Sequence, residues 1–259
     1  MIHKITATDH KVVKEISALK EKKYRERYGA FLVEGAMSVL WALDSAYQVK
    51  SIVISQDFSL PQTISALLAN IPVYRVPDRL FTKMSDTKTP QGILCVCALP
   101  QTPPLPTKGM YLYCDKVQDP GNVGTMIRTA DAMGFSGVML SPECVDPYNP
   151  KLVRSTMGSL FHIQIFTDIT PEVLTTMQGC GFTLVVSALH TRSLSVENWQ
   201  PMANTIVAVG NEAKGVSDPI LHLADTIVKI PMAGSAESLN VAAAASILMY
   251  EAAQKGGLL

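Results

Sequence analysis

Short apolar runs recur through the second half of the chain: Tyr111-Leu112-Tyr113-Cys114, Gly137-Val138-Met139-Leu140, Thr183-Leu184-Val185-Val186, Thr205-Ile206-Val207-Ala208-Val209 and Thr226-Ile227-Val228-Lys229-Ile230. Most are continuous rather than alternating, so they predict strands buried on both faces. Helix-like stretches separate most of them, and that order predicts an α/β domain with a mostly parallel sheet and helices on both faces. Ligands of such sheets usually sit beyond the carboxyl ends of the strands, so the loops after these runs are where chemistry belongs.

The first hundred residues alternate less cleanly. A polar helix from about Asp9 is followed by Phe31-Leu32-Val33, a helix from Met37 to Leu43, Ser51-Ile52-Val53-Ile54, a helix near Ile64 to Leu68, and the run Ile93 to Ala98. These predict a second, smaller α/β domain. Between the halves, Ala98 to Lys108 holds four prolines in eleven residues and no apolar period, which reads as a linker. The expected organisation is a domain over 1–98, a linker over 99–108 and a domain over 109–259.

Composition narrows the class. A chain of 259 residues, 47% hydrophobic and 17% charged, can bury one large core or two modest ones. The five cysteines (Cys95, Cys97, Cys114, Cys144, Cys180) are odd in number and form no C-x-x-C pair, so they read as reduced thiols. The N-terminus carries charge throughout and no stretch reaches membrane-spanning length, so a cytoplasmic protein without a membrane partner is expected. The five histidines have no ligand spacing, and no metal is expected. Net charge is zero, which argues against coating nucleic acid by bulk electrostatics, yet residues 1–28 hold eight Lys or Arg against four acids. That local excess suits phosphate contacts, or equally an exposed amphipathic helix.

Three strand-end loops stand out. In Asp119-Pro120-Gly121-Asn122-Val123-Gly124-Thr125-Met126-Ile127-Arg128-Thr129-Ala130, the Pro-Gly pair makes a turn and Asn122 is placed to cap the following helix. Arg128 follows six residues later, which places the two toward one region; a capped helix with a surface arginine is the plain reading. In Val209-Gly210-Asn211-Glu212-Ala213-Lys214-Gly215-Val216-Ser217, two glycines let the backbone approach a ligand closely, although a simple strand-to-helix turn has the same look. In Ile230-Pro231-Met232-Ala233-Gly234-Ser235-Ala236-Glu237-Ser238-Leu239-Asn240-Val241-Ala242, Ser238 is the natural cap of an alanine-rich helix reaching about Glu251. Helix-start N–H groups suit a carboxylate.

Taken in this order, the three segments resemble the three motifs of the SpoU family of RNA ribose methyltransferases, a group with a knotted chain. Lys151-Leu152-Val153-Arg154-Ser155-Thr156-Met157-Gly158-Ser159 is similar to the family's segment between the first two motifs. Tyr24-Arg25 and Gly29-Ala30-Phe31-Leu32-Val33-Glu34-Gly35 are similar to its N-terminal substrate-binding domain. The resemblance implies a C-terminal trefoil knot, a homodimer, a preceding small α/β RNA-binding domain, S-adenosylmethionine as methyl donor without a metal, and RNA, ribosomal before transfer RNA, as substrate. It places Asn122, Arg128, Glu212, Ser238 and Asn240 at polar active-site positions. Gly210, Asn211, Gly215, Ile230, Pro231, Met232 and Leu239, with Leu189 as a further member, are expected to line the donor pocket. Lys22, Lys23, Arg25 and Arg154 are the expected RNA contacts.

The implied reaction is attack of a ribose 2′-oxygen on the donor's methyl. A guanidinium is a demanding base, so Arg128 is expected to hold the adjacent phosphate and stabilise developing alkoxide charge. The alternatives are a base methyltransferase of the same knotted architecture, a transfer-RNA ribose methyltransferase, and a non-catalytic RNA-binding protein. A nucleotide-binding oxidoreductase is disfavoured because no G-x-G-x-x-G follows an early strand.

Overall fold

The computed structural model describes residues 2–259. In it the run Thr205–Val209 is buried at every position and lies near the middle of a seven-stranded sheet. We number the elements in chain order. The first stretch holds β1 (Ile2–Lys4), α1 (Lys11–Ala18), α2 (Lys22–Tyr28), β2 (Ala30–Glu34), α3 (Ala36–Leu43), β3 (Val49–Ser55), α4 (Gln62–Ser65), β4 (Val73–Val76), α5 (Asp78–Met84) and β5 (Ile93–Ala98). After it come β6 (Met110–Cys114), α6 (Pro120–Ala132), β7 (Gly137–Leu140), α7 (Pro150–Ser155) and β8 (Gln164–Phe166). The chain then runs through α8 (Pro171–Gly179), β9 (Thr183–Ser187), β10 (Leu194–Ser195), β11 (Thr205–Val209), α9 (Asp218–Leu223), β12 (Thr226–Lys229) and α10 (Val241–Lys255).

These elements form two compact units, one of Met1–Gln101 with Asp146–His162, the other of Thr102–Val145 with Ile163–Leu259. The first unit holds a mixed sheet in the order β1-β4-β3-β5-β2, with β5 antiparallel to both neighbours. Strand alternation divides its side chains: Ala30 and Leu32 of β2 join Val13, Ile16 and Leu19 of α1 and its flank, and Leu80, Phe81 and Met84 of α5, in one core. Phe31 points the other way and meets Tyr47 and Tyr148, with ring centroids 5.9 and 4.8 Å away. Sequence order assigns 146–162 to the second domain, but its aromatic residues complete the core of the first unit. Gly158, with φ +96°, allows this approach, because a Cβ there would lie 2.1 Å from the Trp41 ring.

In the second unit every strand pairing is parallel, and the order is β10-β12-β9-β11-β6-β7-β8. Tyr111, Tyr113, Leu184, Val186, Ile206 and Ala208 pack with Leu174 and Met177 of α8 and Ile220 of α9. On the other side α6 and α10 pack against each other and against β6 and β11. Small residues make that possible: Ala245, Ala252 and Ala253 of α10 are fully buried. The runs of β6, β7 and β11 are thus strands covered on both faces, as their pattern predicts, whereas β12 is only partly covered.

Two helix starts differ from expectation. Asp119, not Asn122, caps α6: its Oδ1 accepts the Asn122 N–H at 2.9 Å. Asn240, not Ser238, caps α10, accepting from the Ala242 and Ala243 N–H groups at 2.9 and 3.2 Å. In both, the residue whose side chain reaches N2 or N3 is fixed by where the backbone turns into the helix, and the loop geometry shifts that point. The helix expected near Ile64–Leu68 is the single turn α4, and the short strands β1, β4, β8 and β10 had no signal strong enough to separate them from loops. Among the described residues no helix is long and apolar enough to cross a membrane.

Candidate active site

The carboxyl ends of β9, β11 and β12 are neighbours in the sheet, so their following loops converge. They enclose a cavity of about 440 Å³ whose wall includes Leu189 after β9, Gly210 to Val216 after β11, and Ile230, Met232, Ser238 and Leu239 after β12. Val241 and Ala244 of α10 close one side. The size falls in the range of small-molecule sites, roughly 300–1,000 Å³.

The loop after β11 is a closed hairpin. Asn211 and Gly215 exchange backbone hydrogen bonds at 2.9 and 2.8 Å, and Asn211 Oδ1 accepts from the Ala213 and Lys214 N–H groups at 3.0 and 3.2 Å. Asn211 Nδ2 donates to the Lys116 carbonyl at 3.0 Å, tying the hairpin to the end of β6. Gly210 has no room for a side chain, since a Cβ would lie 2.1 Å from both Gly215 C and Val216 N. Gly215 needs its φ of +70° instead, with open space around it.

Beside the cavity, three expected polar residues are linked. Asn240 Oδ1 is committed to the α10 amides, so its Nδ2 donates to Asn122 Oδ1 at 3.1 Å. That turns Asn122 Nδ2 toward Glu212 Oε1, which accepts at 2.8 Å. One helix cap thereby sets the orientation of both amides. Arg128 does not join the chain. It is exposed on α6 and has no ion-pair partner among the described residues. Six residues turn a helix by about 600°, which leaves Arg128 about 120° from Asn122 around the axis.

Other expected positions fall apart from this geometry. Pro231 is exposed and is not part of the cavity wall. Arg25, expected to meet RNA, is buried within the first unit: Nε and Nη2 donate to Asp146 Oδ2 at 2.8 and 2.5 Å, and Nη1 donates to the Leu19 and Lys20 carbonyls at 2.8 Å each. Its donors serve the fold, so it is a structural residue. Arg154 is partly covered and pairs with Asp86 at 2.9 Å and Glu34 at 3.5 Å, so its guanidinium is engaged by carboxylates of the first unit. Lys22 and Lys23 are exposed and pair with Glu26 and Glu21.

The sequence reading missed Ser187, Ala188, Lys214 and Lys229, which also line the cavity. Only Lys229 had a cue, as the polar end of an apolar strand. The thiols near the site are unreactive in character, because burial pushes Cys114 well above its ordinary value and Cys144 upward as well. Among the described residues no group of His, Cys, Asp and Glu could hold a metal.

Residues 109–250 match the model of the SpoU rRNA methylase family. The chain belongs to that family. Residues 10–95 match an MRM3-like substrate binding domain. Among similar proteins, a 23S rRNA (guanosine(2553)-2′-O)-methyltransferase of Bacillus subtilis is 37% identical, covering 95% of this chain and 97% of that protein. A 23S rRNA (uridine(2479)-2′-O)-methyltransferase of Streptomyces viridochromogenes is 30% identical over 97% of this chain and 92% of its own. The AdoMet-bound rRNA methyltransferase of Sinorhizobium meliloti superposes with a TM-score of 0.89 at 31% identity, covering 100% of this chain and 99% of that one. The matched range holds the loops after β11 and β12 that wall the cavity and the Asn240–Asn122–Glu212 chain beside it.

Proposed function

We propose that this protein is an S-adenosylmethionine-dependent methyltransferase acting on a ribose 2′-hydroxyl of ribosomal RNA. The observation that carries the reading is the cavity at the ends of β9, β11 and β12, with the Asn240–Asn122–Glu212 chain at its edge. The wall fits the donor: Gly210 brings backbone within reach of a flat ring, Ile230 and Leu239 supply apolar surface, and the polar hairpin supplies N–H and C=O groups. Bound there, S-adenosylmethionine would supply an electrophilic methyl group on a sulfonium.

The residues of this chain then have to position an acceptor. Asn122 keeps one amide N–H, and Glu212 one carboxylate oxygen, beyond the bonds that hold them; these can orient a hydroxyl at the cavity mouth. Arg128, exposed and without an ion-pair partner among the described residues, takes a neighbouring phosphate and stabilises alkoxide charge as the proton leaves. Lys22 and Lys23 on α2 supply sequence-independent phosphate contacts. A homodimer is part of the proposal, supported by Ile247 and Tyr250, which remain 38% and 48% exposed on α10 next to α6. So is a C-terminal knot, supported by the strand order: β12 lies beyond β9 from β11, and the chain then returns to pack α10 on α6.

The test is transfer of a labelled methyl group to ribosomal and transfer RNA from cells lacking the protein, followed by nucleoside analysis. Label in a 2′-O-methyl nucleoside of ribosomal RNA supports the reading. Label in a base, or in transfer RNA alone, overturns it.

A further inference from the structure

The end of β6 carries a feature that the reading of the cavity leaves unused. Asp115 follows directly on the strand and is only 2% exposed. A buried carboxylate is unfavourable unless strong donors meet it. Its Oδ2 accepts the Ser217 N–H at 2.7 Å, and its own N–H donates to the Val209 carbonyl at 2.8 Å. Val209 is the last residue of β11 and Ser217 the last before α9, so Asp115 grips both feet of the hairpin that walls the cavity.

The next residue completes the grip. Lys116 has φ +57°, a left-handed conformation that a lysine seldom adopts. Ser141 holds it there by accepting the Lys116 N–H at 2.9 Å, and the turn aims the Lys116 carbonyl at Asn211 Nδ2, 3.0 Å away. The two consecutive residues thus fix the hairpin at its feet and near its first corner. Neither lines the cavity, and Asp115 lies too deep to meet a ligand.

We propose that Asp115 is a positioning residue for the methyl donor: through the Ser217 and Val209 bonds it holds the 210–217 hairpin in the shape that receives the donor before the donor arrives. The proposal rests on the reading of the cavity as the donor site. A preshaped loop lowers the ordering entropy lost on binding, so the clamp acts on donor affinity. Lys116 and Ser141 support the same shape from the side.

The experiment compares wild type, Asp115→Ala, Asp115→Asn and Ser217→Pro, the last deleting the same N–H at a residue whose φ of −69° proline can adopt. Each is checked for folding by circular dichroism, for amide exchange in the donor-free state, and for S-adenosylmethionine binding by calorimetry. Asp115→Ala and Ser217→Pro are expected to weaken donor binding by roughly ten- to a hundredfold, the loss of a charge-assisted hydrogen bond. Exchange should speed up within 210–217 and stay unchanged in β6 and β11, while kcat at saturating donor holds. Asp115→Asn, which keeps an acceptor oxygen, should recover most of the affinity. Wild-type affinity in folded Asp115→Ala or Ser217→Pro overturns the clamp, as does unaltered exchange in the hairpin. If Asp115→Ala does not fold, Ser217→Pro and Asp115→Asn decide alone. Failure of wild type to bind the donor would instead strike the reading of the cavity, and the donor-free exchange data would still judge the clamp.

Discussion

Replacing Gly210 with alanine adds one methyl group at the place where the cavity hairpin closes on itself. That carbon would sit 2.1 Å from Gly215 C and Val216 N and 2.2 Å from Gly215 O. Ordinary contact begins at 3.4 Å, so the opposing backbone would have to retreat by about 1.3 Å. All three atoms are main chain, so no side chain can swing aside. Overpacking of this kind costs about 1–3 kcal/mol, which for a chain of this size lowers Tm by roughly 2–12 °C. The larger effect should fall on the donor site, since a hairpin displaced by more than an ångström loses backbone contacts worth roughly 0.5–1.5 kcal/mol each. Two such contacts correspond to a roughly five- to 150-fold loss of S-adenosylmethionine affinity by calorimetry. Gly215→Asn is the control: open space surrounds Gly215, and asparagine tolerates its φ of +70° at a cost of about 1 kcal/mol. Gly210→Ala that binds as wild type, or Gly215→Asn that binds worse than it, would refute the reasoning.

Asn240→Ala removes the cap of α10 and the bond that orients Asn122, so stability should fall by about 0.5–2 kcal/mol in urea titrations and turnover should fall further than donor affinity. Arg25→Ala leaves Asp146 partly buried and unpaired, a loss of about 3–5 kcal/mol by the same titrations, whereas RNA affinity of the folded fraction should hold. Arg128→Lys should lose most activity with unchanged melting temperature, because an ammonium lacks the planar fork; near-normal turnover would contradict the assignment. Burial pushes Tyr47 from 10.0 up to about 12. The unfolded chain therefore releases that proton first, and stability present below pH 10 should be lost as pH rises from about 10 to 12; Tyr47→Phe should flatten that part of a Tm-against-pH curve.

Strands β6, β7 and β11 were legible because they are buried on both faces, which leaves an uninterrupted apolar run in the sequence. The site loops were legible for the linked reason that ligands gather at the ends of such strands. The sequence could not show which of several polar residues begins a helix. Asn122 and Ser238 were plausible caps until the backbone placed the cap three residues earlier, at Asp119, and two residues later, at Asn240. Arg25 misled because a basic residue in a basic segment suits phosphate; its partner Asp146 lies 121 positions away, beyond any local pattern. The packing of 146–162 with the first unit is hidden for the same reason. Asp115 carried a weaker cue, a carboxylate directly after an apolar strand, and only its burial shows that it grips the neighbouring loop.

Crystals of the protein grown with S-adenosylhomocysteine, the spent donor, would show whether the cavity at the strand ends is the donor site. Difference density is expected between the ends of β9, β11 and β12, with the purine against Gly210 and the Ile230–Leu239 loop and the hairpin unmoved. Density anywhere else, with that cavity filled by solvent alone, would contradict it.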